Sequence, residues 1–112
     1  MNKSSASVAS EVDEFELAGL QKLPSKLVKP PRVKDAPAHL ECVYLQTIAL
    51  KDRHGEKHPF FEVVLGQVIG IHIDDRFIAD GMVDSAAMKP LSRLGYMDYA
   101  VVEEVFEMQR PK

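Results

Sequence analysis

Residues 61–73 read FEVVLGQVIGIHI, and their alternation fixes an extended chain. Phe61, Val63, Leu65, Ile69, Ile71 and Ile73 fall on one side, with Gln67 as the polar interruption. The opposite side carries Glu62, Val64, Gly66, Val68, Gly70 and His72, and then Asp74. Gly66 and Gly70 remove two side chains from this second side. That permits either close approach of a backbone or flat ligand, or sharp coiling of a barrel strand; coiling is the simpler reading.

Upstream, residues 40–50 alternate again, with Leu40, Cys42, Tyr44, Ile48 and Leu50 opposite Glu41, Val43, Leu45, Thr47 and Ala49. The break KDRHGEKHP, with Gly55 and Pro59, separates the two runs, so an antiparallel hairpin is the expected pairing. Pro24, Pro30, Pro31 and Pro37 rule out a regular helix over residues 20–37 and shorten any strand there. Earlier still, Ser10 is expected to cap a short helix near Asp13. Glu11, Asp13 and Glu14 suit its positive end, and Gly19 provides the stop. Residues 1–10 are Ser-rich and are expected to fray as a flexible N-terminus, leaving residues 11–112 as a single domain.

Downstream, Asp74 and Asp75 read as turn formers, and Asp80 with Gly81 marks another turn. After a short segment beyond Asp84, residues 99–108 set Val101, Glu103, Val105 and Glu107 against Val102, Glu104, Phe106 and Met108, as in a strand with one wet face. The expected class is mainly β with short helices.

At 112 residues, 46 % hydrophobic and 28 % charged, with a mean hydropathy of -0.15, the chain has the composition of a globular domain. Its size suits one small core, burying roughly 65 % of the unfolded surface. A net charge of -3 provides no general positive field, which argues against nucleic acid. No run approaches the ~20 apolar residues of a membrane helix, and the start lacks an apolar leader core, so a cytoplasmic address is expected.

Cys42 is the single cysteine, which excludes an internal disulfide and points to a buried small hydrophobe. Lys22, Lys26, Lys29, Arg32 and Lys34 gather in the proline-containing segment, either as a solvated linker or as a phosphate-contacting patch. His54 and His58 have helical ligand spacing, but Gly55 and Pro59 place them in a polar hairpin loop with no completed metal set. His72, beside Asp74 and Asp75, is the acid/base candidate; the alternative is a histidine that holds the strand-to-loop corner through a local hydrogen bond. In RLGYMDY, Arg93 can pair with an anion, Gly95 can expose backbone amides, and Tyr96 and Tyr99 offer rings and hydroxyls. The competing reading is a structural corner with Arg93 paired to Asp84 or Asp98. There is no Gly-rich phosphate loop, dinucleotide fingerprint or Ser/His/Asp elbow.

The ordered series GQVIGIHIDDRFI, DGMVD and PLSRLGYMDYA resembles the C-terminal half of the flavin reductase-like, FMN-binding split-barrel proteins, and upstream VDEFELAGL, PSKLVKPPRV and APAHLEC are similar to the segment that precedes this half, so that the matches together run over residues 12–100. That group includes flavoredoxin and the reductase partners of two-component monooxygenases. The resemblance implies a partial split β-barrel completed by dimerisation. It also implies FMN as a noncovalent cofactor, NAD(P)H as donor, and Arg93, Gly95, Tyr96 and Tyr99 at a flavin or substrate edge. Tyr96 stands where many relatives have a second glycine. Members are nearly twice as long, and their N-terminal half supplies early barrel strands and most flavin-holding loops. A non-catalytic binding or dimerisation module that has lost flavin is therefore the rival expectation.

Overall fold

The computed structural model describes residues 2–112, which divide into two compact units, one ending at His72 and the other running from Ile73 to Lys112.

In the first unit, Lys3–Ser5 forms a 3-10 turn and α1 spans Glu14–Ala18. The cap is Asp13, not Ser10: its carboxylate accepts the Phe15 amide at 2.9 Å, whereas the Ser10 hydroxyl turns to Glu11. A carboxylate combines hydrogen bonding with attraction to the helix start, so it outcompetes the hydroxyl three residues earlier. Lys22, whose ammonium also lies 5.3 Å from the Phe15 ring centre, ion-pairs with Asp13. Gly19 ends the helix at φ +69°, the left-handed conformation that glycine adopts without steric cost.

Across the proline-containing connector, β1 (Lys22–Leu23) pairs antiparallel with β2 (Arg32–Val33). Two long strands follow, β3 (Ala38–Lys51) and β4 (Lys57–Ile73), hydrogen-bonded side by side. Their short connection makes them an antiparallel hairpin. Asp52 organises the turn, its carboxylate accepting the His54 and Glu56 amides while its own amide donates to the Glu56 carbonyl at 2.8 Å. His54 lies in this turn, whereas His58, expected in the loop, is already in β4, with its ring stacked 4.2 Å from that of Phe61.

The strand glycines mark close approach of the chain to itself. A Cβ on Gly66 would meet Cys42 Cβ and the Val43 carbonyl at 3.4 Å, and one on Gly70 would lie 2.9 Å from Leu27 Cδ1.

The second unit consists of short elements. Asp74 caps a 3-10 turn at Asp75–Phe77 by accepting the Arg76 amide at 3.0 Å. Strands β5 (Ile78–Ala79) and β6 (Met82–Val83) then pair around Asp80 and Gly81, at φ +51° and +75°, the positive pair that a two-residue hairpin turn needs. Asp84 caps α2 (Ser85–Met88) through the Ala87 amide. Strands β7 (Leu91–Arg93) and β8 (Tyr99–Val101) pair in the register Leu91↔Val101, Ser92↔Ala100, Arg93↔Tyr99. The strand expected over residues 99–108 ends at Val101, and residues 102–112 form no regular element. Alternation alone cannot make a strand; the backbone needs a neighbour to bond to.

The expected apolar core is not formed within the chain. No apolar side chain among the described residues is buried; the single buried residue is Glu41, 2 % exposed. Cys42 is exposed as well, contrary to the buried thiol expected. The physical reason lies in the sheets, each of two strands. A two-stranded ribbon presents both faces to its surroundings, and three or more strands or a packed helix are needed to bury one. No helix among the described residues is long and apolar enough to cross a membrane.

Candidate functional site

The corner between β7 and β8 gathers the four residues singled out in RLGYMDY. Arg93 and Tyr99 are register partners, so their side chains project from the same face of the ribbon. Between them the Leu94 amide donates to the Asp98 carbonyl and the Asp98 amide to the Gly95 carbonyl, both at 3.0 Å, closing a tight turn. Gly95 has open space where a Cβ would stand. Tyr96 follows at φ +54° with its side chain 96 % exposed. That conformation is one that glycine adopts freely and tyrosine does not. Arg93 forms no ion pair among the described residues, so the alternative pairing with Asp84 or Asp98 is not made.

His72 is placed in the other unit, near the end of β4. Its Nε2 lies 2.9 Å from Oε1 of Glu41. The carboxylate partner is thus on the neighbouring strand, while Asp74 turns to Arg76 through contacts of 2.7–3.1 Å. The Arg76 guanidinium, with the Arg76 amide, holds the Asp74 carboxyl down at about 2, and Asp74 raises the guanidinium in return.

Glu41 is the residue that sequence reasoning missed. Its two oxygens accept the consecutive amides of Lys26 at 2.7 Å and Leu27 at 2.6 Å, and the Nε of Arg32 stands 3.9 Å away. The Lys26 amide is the main cause holding its pKa below the ordinary carboxylate range; burial opposes this, and the Leu27 amide and His72 add to it. The His39 ring stands edge-on to His72 at 6.3 Å, and its Nε2 donates to the Val33 carbonyl at 2.6 Å. The available signal was a lone acid inside the apolar run LECVYL. The rest of the basic segment is partly used structurally, with Lys34 bonded to Gln21 at 2.9 Å and Arg32 to the Pro24 carbonyl at 3.1 Å.

The pattern of the family described as Flavin reductase like domain matches residues 1–92. The chain belongs to that family. Protein BH2278 of Halalkalibacterium halodurans is 32 % identical over 111 residues, 99 % of this chain and 52 % of that protein. Among solved structures, nitrilotriacetate monooxygenase component B from Bacillus cereus is 29 % identical with a TM-score of 0.83, covering 96 % of this chain and 52 % of that one. A putative flavin reductase with split barrel domain from Shewanella frigidimarina shares the fold at 19 % identity and a TM-score of 0.73, over 96 % of this chain and 52 % of its own. This flavin reductase-like chain therefore has a partial split-barrel fold dominated by strands. It spans about half the length of the relatives that it matches.

Proposed function

We propose that the chain is part of an FMN-binding flavin reductase, of the NAD(P)H:flavin oxidoreductase type, that works as a homodimer in the cytoplasm. The carrying observation is the β7–β8 corner: an arginine without an ion-pair partner among the described residues ends β7, and an open glycine and an exposed tyrosine ring stand on the tight turn that follows it. These groups fit one edge of a flavin. Arg93 offers a cation to its polar edge or phosphate, Tyr96 a ring face, Tyr99 a phenol, and Gly95 room for approach. A bound flavin supplies the hydride and electron transfer that side chains do not. His72 enters the proposal as the group that holds a proton, its Nε2 shared with Glu41.

Flavin fluorescence tests this reading. Addition of the purified protein is expected to quench FMN emission, and Arg93→Ala is expected to weaken binding about tenfold, the cost of one charged hydrogen bond. His72→Gln is expected to slow flavin reduction while leaving FMN affinity unchanged. A protein that neither carries nor quenches flavin would support the second reading, a non-catalytic binding or dimerisation module. The absence of any buried apolar side chain among the described residues favours that alternative, because the ribbon faces are then the working surface.

A further inference from the structure

The first unit contains a cleft of about 330 Å³ whose lining includes neither His72 nor any of the four corner residues of the flavin reading. Its walls come from Ser25, Val28, Pro30 and Pro31 on the connector, Arg32 on β2, and residues 39–42 of β3. That volume lies within the range of small-ligand sites.

The loop over the cleft is pinned at several points. Glu41 grips the Lys26 and Leu27 amides, and the Leu27 side chain lies over the space that the missing Cβ of Gly70 leaves. The Ser25 hydroxyl donates to the Pro30 carbonyl at 2.5 Å across the loop. Pro30 and Pro31 have no N–H, so that wall offers no backbone donor, and recognition there falls to side chains.

Arg32 is the cationic side chain of the lining, and the connector that forms one wall also carries Lys26 and Lys29. Lys26 and Lys29 are exposed on the pinned loop, and neither ammonium has a partner among the described residues. Arg32 is held in place through Nε and Nη2 on the Pro24 carbonyl, and among the described residues Nη1 has no partner. Glu41 also lines the cleft, but its oxygens already face two amides, His72 and Arg32. With that charge compensated, Lys26 and Lys29 remain as surplus positive charge on the loop that leads into the strand carrying Arg32. In a chain of net charge -3 such a surplus is local.

We propose that this cleft binds the phosphate group of a small ligand, with Arg32 Nη1 as the fixed contact and Lys26 and Lys29 as flanking charges. A guanidinium held on one edge matches two phosphate oxygens on the other, and mobile ammonium groups add attraction without needing fixed geometry. The cleft is built within the first unit, whereas Arg93, Gly95, Tyr96 and Tyr99 belong to the second.

The experiment is a titration of the purified protein with inorganic pyrophosphate and, separately, AMP, followed by amide NMR shifts and calorimetry. The expected result is saturable shifts confined to residues 25–32 and 39–42, weakened by added salt. Lys26→Ala/Lys29→Ala, both exposed and therefore fold-neutral, should weaken binding about tenfold or more. Arg32→Lys tests the fixed contact and should weaken it further than either single lysine change. Tighter binding of AMP than of pyrophosphate identifies a nucleotide ligand; equal binding identifies the bare anion. Shifts that fail to saturate, shifts that lie elsewhere, or affinity unchanged in the lysine double variant would each overturn the proposal. None of these outcomes depends on whether FMN binds.

Discussion

Oε1 of Glu41 lies 2.9 Å from Nε2 of His72, and the two residues are 31 positions apart. This contact joins β3 to β4, and the remaining bonds of the same carboxylate join both to the connector at Lys26 and Leu27. A single buried acid therefore ties three segments of the first unit together. Replacing it leaves donors facing an empty space, which is costlier than losing the hydrogen bonds alone.

Glu41→Ala is expected to free the connector. Hydrogen exchange at the Lys26 and Leu27 amides should rise on the order of tenfold or more, since both lose their acceptor. Glu41→Gln retains one carbonyl oxygen and should protect one amide but not both. Equal protection in all three proteins would show that the loop is held by something other than this carboxylate.

Acid should release both carboxylate contacts. Asp74 is held at about 2 by Arg76, below the ordinary ~3.9 of an unfolded aspartate. A lowered folded-state value means that the stabilisation is complete above about pH 4 and disappears as pH falls through about 2. Glu41 is also lowered, so its contribution has the same sign and is lost below the ordinary carboxylate range. Carboxyl-carbon NMR titration checks both, and an Asp74 midpoint near 4 would contradict the Arg76 contact.

Tyr96 adopts φ +54°, a conformation that costs an L-residue with a Cβ roughly 1–2 kcal/mol. Tyr96→Gly removes that cost but adds backbone entropy to the unfolded chain, so a net gain of up to about 1 kcal/mol is expected in denaturant melts. The same change deletes the exposed ring of the corner. Higher stability combined with weaker FMN quenching would separate the ring's proposed binding role from its backbone strain. If the affinity is unchanged, the ring makes no contact with flavin.

Alternation in residues 40–50 and 61–73 made the long hairpin legible, and Asp80–Gly81 made the short one legible, because both signals are local. Gly19 was readable as a helix stop for the same reason. The Asp13 cap was harder, since Ser10, Glu11 and Asp13 all carry capping groups and side-chain geometry chooses among them. Glu41 escaped because strand periodicity assigns a side, not a partner, and its partners lie 14, 15 and 31 residues away. The strand expected through Met108 failed for a related reason: its alternation is real, but pairing stops at Val101. Arg93, Gly95, Tyr96 and Tyr99 are contiguous enough that the sequence brought them together before the register was known.

Gly70 gives a graded test of close packing between the connector and β4. A Cβ there would stand 2.9 Å from Leu27 Cδ1 and 3.5 Å from Glu41 Cβ. The first of these neighbours is the tip of an exposed side chain that can rotate away, so Gly70→Ala should change stability by no more than about 1 kcal/mol. Gly70→Phe has no such escape and should cost about 1–3 kcal/mol by overpacking, with raised exchange at the Leu27 amide. Tolerance of phenylalanine would mean that the connector does not sit against this strand in solution.

The apolar ribbon makes the last prediction. Ile71 is 65 % exposed, and Phe61, Val63, Leu65 and Ile69 on the same side of β4 are also exposed. For a side chain surrounded by water, Ile71→Asp would change stability by no more than about 0.5 kcal/mol. A split barrel closed by a second copy instead covers this side with apolar surface, where an unpaired carboxylate is costly. Ile71→Asp is therefore expected to destabilise the assembled protein by more than about 2 kcal/mol, with a shift toward smaller species in gel filtration. Glu62→Lys, on the opposite side of the same strand, provides the control and should leave the elution position unchanged. If Ile71→Asp behaves like that control, the side is not an interface between copies and the dimeric reading fails.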